Sequence, residues 1–126
     1  MPFVGVGCAG APTEIADGPQ YPAVAQSRVL DVQVFRDETQ LTLTNTSART
    51  FGPCRVWVNQ WYSLPIEGLA AAQTITLDLG AFKDRYGTPF RAGGFFATER
   101  PDRVVLVQIE DGAEVVGLAV VAGEIE

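Results

Sequence analysis

Histidine is absent from this 126-residue chain, which removes the side chain best suited to moving protons near neutral pH. Cysteine is nearly absent. Only Cys8 and Cys54 occur, and two cysteines without a histidine exclude a structural zinc site of the usual four-ligand kind. No run of about 18 apolar residues exists to cross a bilayer as a helix. No block of Lys and Arg exists either: the formal net charge is −6 and the pI is about 4.5. Phosphate backbones require concentrated positive charge, so nucleic acid is not an expected partner.

The missing histidine also constrains the nucleophiles. Cys54 has no imidazole to activate it. Ser27, Ser47 and Ser63 lie in no Gly-x-Ser-x-Gly elbow. Fifteen carboxylates are present, but carboxylate catalysis needs two of them facing each other across a cleft, and no motif announces such a pair. Asp37, Glu38, Asp84, Glu110 and Asp111 fall in turns without the aspartate spacing of a calcium loop. The expectation is a protein that is not an enzyme and needs no metal or cofactor.

What the chain does contain is a two-residue rhythm. Hydrophobic residues make up 47% and charged residues 19%, a globular composition at a length suited to one domain. From residue 28 onward apolar and polar positions alternate, as in Leu30-Asp31-Val32-Gln33-Val34, Leu41-Thr42-Leu43-Thr44 and Ile75-Thr76-Leu77-Asp78. Such alternation, rich in β-branched residues, marks half-buried strands. Strands are predicted near 28–36, 39–46, 54–62, 73–79, 94–98, 103–110 and 114–122. Turn signals separate them, and Asp37-Glu38 and Asp111-Gly112 are short enough to close antiparallel hairpins. Pro65-Ile66-Glu67-Gly68 reads as another turn. Only residues 80–86 suggest a helical turn, with Gly87 free to take the left-handed conformation after it. Phe82, Phe90, Phe95 and Phe96 read as core plugs.

About seven short strands with regular turns argue for an all-β, antiparallel β-sandwich with one short helical turn. At fold level, residues 28–122 resemble the immunoglobulin-like domains of bacterial envelope lipoproteins. They lack the Cys–Trp–Cys signature of antibody domains, and a small closed barrel is the alternative architecture.

The N-terminal run Val4-Gly5-Val6-Gly7-Cys8-Ala9-Gly10 resembles the lipobox of bacterial lipoproteins. There a small residue ends the signal peptide, and the cysteine that follows is lipidated and becomes the mature N-terminus. Gly7 and Val6 fit that pattern; Gly5 stands where the family usually has leucine. The resemblance implies a signal-peptide remnant over 1–7, a lipid attachment at Cys8 and a bacterial cell-envelope location, periplasmic or outer-membrane, anchored or secreted. Residues 8–23, punctuated by Pro12, Pro19 and Pro22, then read as a flexible tether, and 24–126 as the single domain. If Cys8 is lipidated, Cys54 stands alone as a packed thiol on the same strand face as Val56 and Val58. If it is not, and the compartment is oxidising, a Cys8–Cys54 disulfide is open.

One segment stands out as a candidate binding surface: Arg55-Val56-Trp57-Val58-Asn59-Gln60-Trp61-Tyr62. On a continuous strand, Arg55, Trp57, Asn59 and Trp61 share one face. With the valines inward, two tryptophans and an amide would form an exposed platform for a partner's anchor residue or for sugar rings. With the parity reversed, the tryptophans fill the core. The expected function is therefore a non-catalytic envelope module that recognises an unidentified protein or polysaccharide through a sheet face or loops. The alternative is a carbohydrate-binding module built on Trp57, Trp61 and Tyr62.

Overall fold

The structure, a computed structural model, describes residues 18–93 and 100–121. It is all-β. Seven strands form one curled, mixed sheet: β1 (Gln26–Asp37), β2 (Gln40–Asn45), β3 (Cys54–Val58), β4 (Tyr62–Ile66), β5 (Thr74–Asp78), β6 (Val107–Asp111) and β7 (Glu114–Val120). Their order across the sheet is β4-β3-β6-β7-β1-β2-β5. The predicted strand at 94–98, Phe95 and Phe96, and Cys8 lie outside the described residues.

Both short hairpins form where the turn chemistry puts them. Asp37 pairs with Gln40 around a two-residue turn in which Glu38 takes φ 56°. Asp111 pairs with Glu114 around Gly112 at φ 63°. One pairing departs from the antiparallel expectation, because β1 runs parallel to β7. β1 is the seam of the fold. Between Val29 and Gln33 it advances four residues while β7 advances two, from Gly117 to Ala119. Extra residues of this kind bend a strand and raise its twist, so the first part of β1 pairs with β7 alone and the later part also carries β2.

That bend lets one sheet wrap a single core. Val32 and Val34 of β1, Leu41 and Leu43 of β2, Val56 and Val58 of β3, Val107 and Ile109 of β6, and Val116 and Leu118 of β7 are all buried in one cluster. Phe51, Leu69, Leu79, Phe82 and Phe90, from outside the seven strands, belong to the same cluster. Each fully buried side chain of this size contributes about 1.5–3 kcal/mol of transfer free energy, so the alternating pattern has a direct energetic basis. Thr42 with Thr76 and Thr44 with Thr74 form exposed cross-strand hydroxyl pairs on the other side of β2 and β5.

Two local departures from the expected elements matter for the surface. The helical turn is a single 3-10 turn at Leu79–Ala81, capped by Asp78 Oδ1, which accepts the Gly80 N–H at 3.0 Å. Gly87 does take a left-handed φ of 85°, in the following turn. Pro65 and Ile66 belong to β4 rather than to a turn. β4 lies at the end of the strand order, where a residue without an N–H is tolerated.

Candidate functional site

The predicted strand at 54–62 is broken, and the break creates the site. Asn59 and Gln60 have φ values of 57° and 59°, the positive pair that a type I′ turn requires. The Trp61 N–H donates to the Val58 carbonyl at 3.2 Å, and the ladder resumes with Val58 opposite Tyr62. Trp61 is left outside the ladder. Asn59 can hold this conformation because its side chain is fully used. Its Oδ1 accepts the N–H groups of Val105 and Leu106 at 2.8 and 3.1 Å, and its Nδ2 donates to the Arg103 carbonyl at 2.7 Å.

The single-strand platform is thereby corrected: Trp57 and Trp61 do not share a strand face. Trp57 does lie on the face opposite Val56 and Val58, but only 1% of it is exposed. Its indole N–H donates to Glu110 Oε1 at 2.8 Å, and Tyr21 packs edge-on against its ring at 5.4 Å. Residues 18–23 of the expected tether include this Tyr21, and the Gly18 N–H donates to the Arg85 carbonyl at 2.9 Å. Next to Trp57, Gln108 is equally buried and donates to Gln26 Oε1 at 2.7 Å. Gly117 makes room for Gln26, since a Cβ there would sit 2.6 Å from the Gln26 amide.

The remaining candidates scatter. Arg55 is half-buried and donates to Ser63 Oγ at 2.9 Å. Tyr62 packs edge-on against Phe90 at 5.1 Å, on the core side. Burial pushes its hydroxyl above the ordinary 10.0, with Asp102 and Asp84 adding to the effect. Of the five residues, Trp61 alone is an exposed large aromatic, at 39%.

Trp61 finds different company. The guanidinium of Arg85 lies 4.8 Å from its ring centroid and 5.5 Å from that of Tyr86, which is 43% exposed. The indole N–H of Trp61 donates to Asp84 Oδ2 at 3.1 Å. The other carboxylate oxygen of Asp84 accepts the N–H groups of Tyr86 and Thr88, both at 2.9 Å. Asp84 is buried and satisfied by three donors, so it fixes the 84–88 turn that presents Arg85 and Tyr86. Trp61 and Arg85 then line a cleft of about 110 Å³ together with Pro19, Gln20, Tyr21 and Gln60. Arg85 makes no hydrogen bond or ion pair through its guanidinium among the described residues, and its Nε is buried without a partner. Arg91 does pair, with Asp102 at 3.6 Å.

Cys54 lies against the core, half-buried, and desolvation pushes its thiol up to about 11, with Asp111 adding to the rise. Ser63 is buried beneath Arg55. Among the described residues no three Asp, Glu, Cys or His side chains gather into a metal site. Glu110 and Asp111 are engaged instead by Trp57 and Arg49.

The chain matches no known protein family, no curated protein and no solved structure. The site is therefore read from its own geometry. The candidate segment 55–62 contains Trp61 and Gln60, but sequence pattern does not single out Arg85, Tyr86, Asp84 or Tyr21 as their partners. The one local signal was Asp84-Arg85-Tyr86-Gly87-Thr88, a turn in which an aspartate bonds its own backbone.

Proposed function

We propose that this protein is a non-catalytic binding module of the bacterial cell envelope, attached through a lipid at Cys8, with an immunoglobulin-like sandwich as its scaffold. Supporting the scaffold, strands from both ends of the sheet order contribute buried side chains to one core. The lipobox-like run at Cys8 supports the anchor. The single observation that carries the binding role is Trp61, exposed outside the ladder and stacked against Arg85 at the rim of a cleft. Exposed aromatics held on rigid turns and next to convergent polar groups are the usual anchors of recognition sites.

The test is retention of the full chain on isolated envelope fractions: membrane vesicles, peptidoglycan and extracted polysaccharide. Retention by one fraction, lost in Trp61→Ala with unchanged thermal unfolding, supports the module. Failure of every fraction to retain the parent chain sinks it. The anchor is checked separately by Cys8→Ser, which should release the protein from the membrane fraction.

A second reading, a carbohydrate-binding module, is favoured by the mixture of aromatic wall and amide side chains in the same cleft. Its platform would be Trp61 with Tyr86 rather than Trp57 with Tyr62. Added polysaccharide should shift tryptophan emission in the parent chain and leave Trp61→Phe unchanged.

A further inference from the structure

We infer that Arg85 is an anion-recognition residue and that the cleft beside it takes a carboxylate-bearing sugar, a uronic acid unit. The inference rests on the binding-module reading and names its ligand class.

Its starting point is the state of the guanidinium. Arginine carries five N–H donors and no acceptor, yet Arg85 spends none of them within the described residues. Asp84, its neighbour in sequence, is not paired with it: the Asp84 carboxylate is occupied by the Trp61 indole and two backbone N–H groups. Contact with the rings of Trp61 and Tyr86, whose centroids are themselves 6.3 Å apart, restricts the guanidinium, so little of its freedom is lost when a ligand arrives. A restrained guanidinium whose terminal N–H groups have no partner among the described residues is a site awaiting an acceptor.

The acceptor's chemistry follows from what surrounds it. Phosphate is normally gathered by several cations or by a nest of backbone N–H groups, and among the described residues Arg85 is the single cation lining this cleft. A carboxylate, whose two oxygens match the guanidinium fork, fits one arginine. The rest of the lining calls for more than a carboxylate. Gln20 and Gln60 offer both amide donors and acceptors, Tyr21 offers a hydroxyl, and Pro19 and Trp61 offer apolar walls. At about 110 Å³ the space suits a single ring with its substituents, not a folded peptide segment. A pyranose satisfies all three demands: C–H faces for the indole, hydroxyls for the amides, a carboxylate for Arg85. The net charge of −6 disfavours non-specific capture of polyanions, so affinity must come from this local fit.

The experiment titrates the full chain with an oligogalacturonate, with its methyl ester and with an oligoglutamate, reading tryptophan fluorescence and calorimetry. The ester keeps the ring and removes the charge; the peptide keeps the charge and removes the ring. The expected result is binding of the oligogalacturonate at least about 10-fold tighter than either control, a loss of about 10-fold in Arg85→Gln, and partial recovery in Arg85→Lys. Arg85→Gln leaves the backbone bond to Gly18 intact and should unfold at the parent temperature. Ester binding as tight as the acid, or an unaffected Arg85→Gln, overturns the role of Arg85. Oligoglutamate binding as tight as the sugar acid overturns the saccharide assignment. No binding of any probe, while an envelope fraction still retains the chain through Trp61, overturns this inference alone and leaves the module reading standing.

Discussion

The indole N–H of Trp57 donates to Glu110 Oε1 at 2.8 Å across the β3–β6 pair. This contact fixes Trp57 as a structural residue beneath Tyr21. Trp57→Phe keeps an aromatic ring but removes a hydrogen bond to a carboxylate and should cost about 1–3 kcal/mol. Trp57→Ala should cost about 3–5 kcal/mol by opening a cavity. Urea denaturation measures both, and Trp57→Ala within 0.5 kcal/mol of the parent, roughly the noise of a surface change, would contradict the packing role. Emission from Trp61→Phe should be blue-shifted relative to emission from Trp57→Phe.

Neighbouring residues in the β3–β4 turn should respond with opposite signs. Gln60→Gly relieves a left-handed φ of 59° and should stabilise by about 0.5–1 kcal/mol. Asn59→Ala keeps the strained φ and strips partners from the N–H groups of Val105 and Leu106, costing about 2–4 kcal/mol. Equal effects at both positions would show that the turn strain, not the Asn59 side chain, dominates.

Cys54 should be a sluggish nucleophile. With its thiol at about 11 instead of the ordinary 9.0, thiolate at pH 8 is roughly 100-fold scarcer than for a free cysteine. In a Cys8→Ser background, iodoacetamide should therefore label Cys54 far more slowly than glutathione, accelerating as urea exposes it. The raised thiol value adds stability that is fully present below pH 9 and fades as pH climbs through about 11. Labelling at the glutathione rate in native buffer would refute the burial.

Glu114 sets an acid limit. The hydroxyl of Ser27 and the guanidinium of Arg49 donate to its carboxylate at 2.8 and 3.0 Å, holding it below the ordinary 4.5. A depressed carboxylate stabilises the fold above its unfolded value and loses that contribution as pH falls through the folded value. Parent minus Glu114→Gln stability should be positive at pH 7 and shrink steadily below about pH 4.5. Thermal unfolding from pH 3 to 7 tests the trend; a pH-independent difference would mean that the ion pair contributes nothing.

The seams between these elements show where sequence pattern stops informing. Alternation placed Val56 and Val58 on one face of β3 with Trp57 on the other, and that parity holds. It did not reveal that both faces are covered, because the cover comes from Tyr21 and Gln26, which lie far away in sequence. The 54–62 run looked continuous because Asn59-Gln60 lacks the glycine that usually marks a I′ turn. Its strain is offset by hydrogen bonds to residues 103–106, which no local window contains.

The sequence by itself determined an acidic all-β chain, its two tight hairpins and most of its core, because those follow from two-residue alternation and turn chemistry within a few positions. Tertiary structure decided the parallel β1–β7 seam, the burial of Trp57 and the meeting of Trp61 with Arg85. Those outcomes depend on which distant groups satisfy a bend, cover a face or leave a guanidinium unpaired, and such competition is settled only when the whole chain packs.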